Sequence, residues 1–267
     1  MLNRPSSSDE RDMKTELRGQ VNAQLNLPNK REANNPDKDL ARNLGDFLVD
    51  EGFISEIGIN RGSWGYKYEN KAINISGVPM PKAQYDYYIF RLGRDPNGGK
   101  ELFPLIGDET DQYRFLHEVG HAYQDYLIHQ ESPDNPEGWY DRVLADGGVA
   151  VNSNFELLFR YCFKKRVENP GKGLSTWGNV PDYESVQDQA SQYATRAVED
   201  ANELIVMYLW NPQYLRTFLD YLSGKIPGYG DANLQEDGLI KISAEEVEAL
   251  KLAIEEYIAG MKQEISK

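Results

Sequence analysis

The sequence predicts an α+β fold in which a small mixed sheet near the N-terminus is followed by a mainly helical half. Two early segments, 63–77 and 83–93, alternate in polarity or are rich in Tyr, Ile and Phe, which favours strands. From residue 107 onward, apolar residues recur at helical spacing in several segments separated by Pro and Gly clusters. Strands early and helices late indicate that the two kinds of element are segregated along the chain.

The N-terminal part contains first a weak and then a strong helix signal. Residues 1–38 are polar and rich in Asn, Lys, Arg and Glu, which predicts a flexible segment with at most a short helix at 13–25. Apolar residues at helical spacing predict a first packed helix over 39–53, which opens one folded domain over 39–267. The run 63–77 contains an Asn-containing break, so we expect a β-hairpin there.

The second half of the chain predicts a series of helices, each bounded by residues that typically begin or end a helix. Their expected ranges are 107–130, 153–167, 185–210, 212–224 and 243–263. Ser243 and Glu246 have the spacing of a capping box, which marks the start of the last helix.

Composition excludes several classes of partner. The net charge is −14 and the pI is about 4.7, which argues against nucleic acid and anionic membranes. No apolar run approaches the roughly 20 residues of a transmembrane helix. Cys162 is the single cysteine, so we expect a buried structural thiol and neither an intramolecular disulfide nor a Cys-based zinc site. The first residues lack the apolar core of a signal peptide, so we expect a cytoplasmic protein if Met1 is the native start, and a secreted or cell-envelope protein if a signal segment was removed.

The histidines of the chain are concentrated in one predicted helix, at His117, His121 and His129. His117 and His121 are four residues apart, so they share a helix face with Cβ atoms roughly 5–6 Å apart and can bind one ion. Glu118 points elsewhere but can reach a water in the ion's open position, so this HExxH pattern supplies two ligands and a base. One zinc ion per chain is expected, because imidazole suits zinc. His129 is predicted to lie outside the site.

A catalytic zinc site needs a third protein ligand, and no suitable histidine remains to supply it. A carboxylate is therefore expected. The best candidates are Glu199 and Glu203, which share one face of the predicted helix over 185–210. Glu184 and Asp188, near the start of that helix, are more distant alternatives.

HEVGH at 117–121, followed by a helix with Tyr193 and Ala194 and then EDANE at 199–203, resembles the gluzincin class of zinc metallopeptidases. Within that class the chain is similar to bacterial zinc-binding metallopeptidases with a downstream EDxxE pattern, and more distantly to the lethal-factor and Pro-Pro endopeptidase group. The resemblance implies a zincin-like fold, with Glu199 as the third zinc ligand and Glu203 as a support for the ligands.

The chain departs from the family pattern at two places. The long separation between His121 and Glu199 implies an insertion at 130–182. Tyr193 precedes Glu199 by six residues, one fewer than in the pattern.

The resemblance implies a zinc-dependent endopeptidase that acts on a peptide or protein substrate, and we expect a monomer. Glu118 would take the proton of a zinc-activated water, and Tyr193 would donate to the oxyanion. Two alternatives remain open: a non-catalytic binding module on a zincin scaffold with a structural metal or none, and a metal-free interaction protein with a fortuitous motif. The presence of Glu118 argues against a structural metal, because a closed structural site needs no base.

Overall fold

The structure is a computed structural model that describes residues 7–25, 37, 39–60, 64–76, 108–145, 153–175, 189–228, 230–236 and 238–267. The first half of the described chain contains helices α1 (Ser7–Gln24) and α2 (Leu40–Asp50) and strands β1 (Glu56–Asn60), β2 (Gly65–Lys67) and β3 (Ala72–Ser76). The second half contains α3 (Asp108–Glu131), α4 (Trp139–Ala145), α5 (Asn154–Glu168), α6 (Gln189–Trp210), α7 (Pro212–Leu222), α8 (Asp231–Glu236) and α9 (Ala244–Ile265). The predicted α+β class, with a small mixed sheet before a mainly helical half, is confirmed.

The described strands form one mixed sheet in the order β1-β3-β2. β2 and β3 are antiparallel, with Tyr66 opposite Ile73, which confirms the hairpin predicted over 63–77. β1 runs parallel to β3, with Glu56 opposite Ala72, and the sequence did not predict it. The strand predicted over 83–93 lies outside the described residues.

The N-terminal segment contains more structure than the sequence predicts. α1 spans 18 residues, within a stretch predicted to be flexible with at most a short helix. Its C-terminal end is docked by Val21 and Leu25, which are buried against Gly45 of α2. A Cβ at Gly45 would come within 2.6 Å of Cγ1 of Val21, so the glycine lets the two helices approach closely. The helix is therefore longer than the short helix predicted at 13–25, because two well-placed apolar side chains dock an otherwise polar helix.

The central helix of the fold is α3, whose residues from Tyr113 to Tyr126 are buried. It packs against α6, against α2 and against the hairpin β2–β3, while α5 packs on α6 and α9 packs on α5. α9 begins with the predicted capping box, in which Ser243 and Glu246 each accept from the other's backbone N–H. Among the described helices, none combines the length and hydropathy needed to cross a membrane.

The stretch 130–182, which the family resemblance treats as an insertion, contributes to the core through its described part. Trp139 of α4 stacks on Phe155 of α5 with ring centroids 5.2 Å apart, and both side chains are buried. Cys162 of α5 is buried as predicted, and burial raises the pKa of its thiol well above the usual range. A protonated, inaccessible thiol is a structural residue rather than a reactive one.

Candidate metal centre

His117, Glu118 and His121 lie in the middle of α3, and their side chains are buried. The side chains of both histidines contact Glu199, which lies on α6. Among the described residues, His117, His121 and Glu199 form a group whose possible ligand atoms all lie within 4.8 Å of one another. The structure therefore brings together the three residues that the sequence and the family resemblance predict as metal ligands, while His129 is not in this group.

The separations within this group fit a tetrahedral zinc ion. Nε2 of His117 lies 3.1 Å from Nε2 of His121 and 3.1 Å from Oε2 of Glu199, and Nε2 of His121 lies 3.3 Å from the same oxygen. Two ligands of a tetrahedral ion with bonds of about 2.0–2.1 Å lie about 3.3 Å apart. The three atoms are arranged as one face of such a tetrahedron, so an ion held by them would have a fourth position for a water or a substrate oxygen.

The opposite nitrogen of each imidazole has a partner that fixes the tautomer. Nδ1 of His117 donates to Oε2 of Glu203 at 3.0 Å, and Tyr113 donates to the other oxygen of that carboxylate at 2.5 Å. Nδ1 of His121 donates to Oε1 of Gln124 at 3.0 Å, because the amide nitrogen of Gln124 donates to the carbonyl of Val198. In the neutral form of each imidazole, Nε2 therefore carries a lone pair directed at Glu199, an arrangement that repels unless a cation or a proton lies between these atoms.

EDANE lies in the middle of α6, and each of its polar residues has a different contact partner on a neighbouring helix. Glu199 faces the histidines and Glu203 faces the back of His117. Asp200, which is fully buried, forms two 2.7 Å bonds to the guanidinium of Arg166 on α5. Asn202 donates to the backbone carbonyl of His117 at 2.9 Å. The segment thus holds α6 against α3 and α5 while presenting one carboxylate to the imidazoles.

The electrostatics of the group also favour a cation. Burial alone would lower the pKa of His117, but hydrogen bonds to Glu199 and Glu203 outweigh it and raise that pKa to about 10. Burial alone would raise the pKa of Glu199, but the charge and hydrogen bonds of His121 and His117 leave it well below its usual range. The carboxylate is therefore ionised, and the site stabilises positive charge between the imidazoles.

Glu118 is held beside the group by the hairpin. Its Oε2 accepts the backbone N–H of Tyr66 at 2.8 Å, in a buried environment. Burial and the charge of Glu199 raise the pKa of Glu118 above its usual value, and the two histidines and the Tyr66 N–H only partly offset this. A buried carboxylate with a raised pKa beside an open ligand position has the properties of a general base.

The resemblance implies Tyr193 as a hydroxyl donor, and the structure places this half-buried residue on α6, six residues before Glu199 and therefore about 120° around the helix axis from it. Tyr68, in the turn of the hairpin, is 43% exposed. Desolvation of its phenol raises the pKa of Tyr68 well above the usual range, and Tyr140, Glu199, Asp125 and Glu118 raise it further. Tyr68 is thus partly exposed and within electrostatic range of Glu199 and Glu118.

Sequence reasoning missed several residues that hold the site together. They are Tyr66, Tyr113, Gln124 and Asn202. Three of them had a usable signal: Gln124 lies three residues after His121, Tyr113 lies four residues before His117, and Asn202 lies inside EDANE. Tyr66 contacts the site from a distant part of the chain, where a single sequence contains no indication of pairing.

Comparisons with protein-family models, curated proteins and solved structures found no match to this chain. The site is therefore defined by its own chemistry: a buried group of two imidazoles and the carboxylate of Glu199, with the carboxylates of Glu118 and Glu203 beside it.

Proposed function

We propose that this protein is a zinc-dependent endopeptidase of the gluzincin type, built on a zincin-like fold. The proposal rests on the convergence of Nε2 of His117, Nε2 of His121 and Oε2 of Glu199 at separations of 3.1–3.3 Å. These are the donor types and spacings of a catalytic zinc site with three protein ligands.

Zinc held by these three residues would polarise a peptide carbonyl and lower the pKa of a coordinated water to about 7. Glu118 takes the proton of the attacking water and passes it to the leaving amine. Its Oε2 is occupied by the Tyr66 N–H, so Oε1 is the oxygen that accepts this proton. Glu203 and Gln124 keep the imidazoles in the tautomer that directs Nε2 at the ion.

A tyrosine would stabilise the developing oxyanion by donating its hydroxyl hydrogen. The family pattern points to Tyr193. Glu199 and Glu118 both act electrostatically on the phenol of Tyr68, which supports this residue instead. We therefore favour Tyr68, from the hairpin, as the donor.

The alternative is a binding module in which the metal only links α3 to α6. A structural zinc site is usually closed by four protein ligands. Within the described residues the group has three possible ligands. Glu118 is buried beside them, and a structural site would need no such additional carboxylate. These two observations favour catalysis.

Cleavage of a peptide library with and without a chelator tests the proposal. We expect about one zinc per purified chain, cleavage that stops on chelation, and recovery when zinc is returned. Glu118→Gln is the matched control, because the amide has nearly the same shape but cannot accept the proton. It should retain zinc and lose activity. Zinc-loaded protein that cleaves nothing would support the binding module, and cleavage that survives chelation would exclude a metallopeptidase.

A further inference from the structure

Tyr66 contacts α3 at two points that are two helical turns apart. Its backbone N–H donates to Oε2 of Glu118 at 2.8 Å, and its hydroxyl lies 2.8 Å from Oδ2 of Asp125 and 3.0 Å from the carbonyl of Phe53, of which the carboxylate is the nearer and stronger acceptor. Seven residues separate the two carboxylates, which is about 10.5 Å along the axis and nearly the same face of the helix. One strand residue thus bridges the proposed base and a second buried carboxylate.

Asp125 is the anchor of the hairpin on α3. It is 4% exposed and accepts from two side chains, Tyr66 at 2.8 Å and Lys71 at 2.5 Å. Nδ1 of His129 lies 3.1 Å from Oδ1 of Asp125, and its hydrogen-bond partner is the backbone carbonyl of Asp125 at 2.9 Å. A buried carboxylate is stable only with such partners, so Asp125 and the hairpin hold each other in position.

Lys71 pairs with Asp125 through its ammonium group, and it does so from a backbone position that favours glycine. Lys71 has φ of 55°, in the left-handed region, where a side chain is unfavourable and glycine is the ordinary choice. It lies immediately before β3 and its carbonyl accepts from the N–H of Ser55. A glycine would relieve the backbone but could not reach Asp125. The turn therefore accepts strain at a position that pairs with this carboxylate.

The strand geometry links this anchor to Glu118. Tyr66 lies opposite Ile73 on β3, but its N–H bonds Glu118, so this donor points out of the sheet towards α3. A shift or rotation of β2 would move the donor away from Oε2 of Glu118. The hydroxyl of Tyr66 and the ammonium of Lys71 oppose such a shift at the far end of the hairpin.

We propose that Asp125 is a positioning residue that orients Glu118 through Tyr66. Asp125 accepts a hydrogen bond from the Tyr66 hydroxyl, and this bond fixes the position of β2 on α3. The backbone N–H of Tyr66 in turn donates to one oxygen of Glu118. The other oxygen is thereby kept in place for proton transfer. The catalytic consequence rests on the proposed peptidase function, whereas the positioning itself does not.

Tyr66→Phe separates these links, because it removes the hydroxyl and keeps the backbone N–H. Tyr208→Phe is the matched control: its hydroxyl donates to Oδ2 of Asp37 at 2.9 Å, so the same type of bond is deleted away from the hairpin. Three quantities are measured on the full chain: zinc content, hydrogen exchange of the amide at position 66, and kcat and KM for a peptide that the wild-type protein cleaves.

For Tyr66→Phe we expect unchanged zinc content, amide exchange at position 66 that is at least tenfold faster, and a kcat lowered about 10-fold with little change in KM. Tyr208→Phe should change none of these. Asp125→Asn should act in the same direction as Tyr66→Phe, which assigns the effect to Asp125 and not to the carbonyl of Phe53, the other group near the Tyr66 hydroxyl. An Asp125→Asn protein with unchanged exchange at position 66 would overturn the proposal.

Unchanged amide exchange in Tyr66→Phe would overturn the positioning proposal, and faster exchange with an unchanged kcat would overturn its catalytic part. Wild-type protein that cleaves no peptide would instead reject the peptidase function, and the exchange measurement would still decide whether Asp125 positions Glu118 through Tyr66.

Discussion

Gly120 lies against Asn202 at the crossing of α3 and α6, and a Cβ at Gly120 would come within 2.1 Å of Oδ1 of Asn202. The same Cβ would come within 3.2 Å of Cγ2 of Val206. Asn202 cannot move aside without losing its bond to the carbonyl of His117. The glycine inside HEVGH therefore allows the close approach that brings Glu199 to the two histidines.

Gly120→Ala should destabilise the protein by about 1–3 kcal/mol, because overpacking at the crossing separates α3 from α6. It should also weaken zinc binding, since Glu199 moves with α6. Thermal unfolding and zinc content after dialysis measure both effects.

Gly260→Ala is the matched control, because Gly260 lies in α9 and a Cβ there would meet nothing within 4 Å. This substitution should stabilise the protein by about 0.5–1 kcal/mol, the usual gain when alanine replaces glycine inside a helix. A Gly120→Ala protein that is also stabilised would show that the helix crossing does not need the glycine.

Glu199 and Glu203 are expected to differ sharply in their effect on zinc. Oε2 of Glu199 faces Nε2 of both histidines, whereas Glu203 bonds Nδ1 of His117, on the opposite side of the ring. Glu199→Ala should therefore lose zinc during dialysis against a weak chelator. Glu203→Ala should keep zinc with about 10–100-fold lower affinity or activity. Zinc content after identical dialysis ranks the two variants.

The opposite ranking would make Glu203 the ligand. Equal retention in both variants would exclude α6 as the source of the third ligand, and Glu184 and Asp188, which lie outside the described residues, would then be tested in the same way. Asp220→Ala on α7 serves as a control for the removal of an acidic residue from a helix.

The helices of the second half could be predicted because their signals are local. The apolar spacing of α5 and α6, the capping box of α9 and the four-residue spacing of His117 and His121 all lie within one helix. β1 has no such signal: it is five residues long, contains Gly58, and leaves Ile59 79% exposed. It forms because it pairs with β3 beyond the intervening hairpin strand, and pairing at that distance is not encoded in a local pattern.

The same distinction applies to the site. The two imidazoles could be predicted from one helical turn, and the family resemblance selected Glu199 from the two carboxylates on the later helix. The Tyr66 N–H on Glu118 and the Tyr113 hydroxyl on Glu203 could not be predicted, because each joins elements far apart in sequence. Helical periodicity gives the face of a residue but not the element that covers that face.

Zinc uptake should release about two protons per ion near pH 8. In the metal-free protein the pKa of His117 is about 10, against 6.5 for an unperturbed histidine, so the imidazole is protonated at pH 8 and must lose that proton to bind zinc. The second proton comes from the coordinated water, whose pKa would be about 7. A pH indicator in weakly buffered solution measures the release. Release of only about one proton at pH 8 would mean that His117 is neutral before zinc binds.

The same pKa predicts how the stability of the metal-free protein varies with pH. Because the folded-state pKa of His117 is raised, its contribution to stability is fully present below pH 6.5 and is lost as the pH rises through about 10. The melting temperature of metal-free protein should therefore fall between pH 7 and 10. Zinc-loaded protein is the control, since it shares all other titrating groups, and an equal fall in both forms would rule out His117 as the cause.

Tyr68 and Tyr193 compete for the role of oxyanion donor, and single hydroxyl deletions separate them. The charges of Glu199 and Glu118 act on Tyr68, whereas Tyr193 lies about 120° around α6 from Glu199. Tyr68→Phe should therefore lower kcat by about 10²-fold, the cost of removing one oxyanion donor, and leave zinc content unchanged. Tyr193→Phe should lower kcat much less. Steady-state kinetics on one peptide decide the ranking: a larger loss in Tyr193→Phe would return the role to the residue that the family pattern indicates, and unchanged rates in both would show that neither hydroxyl stabilises the oxyanion.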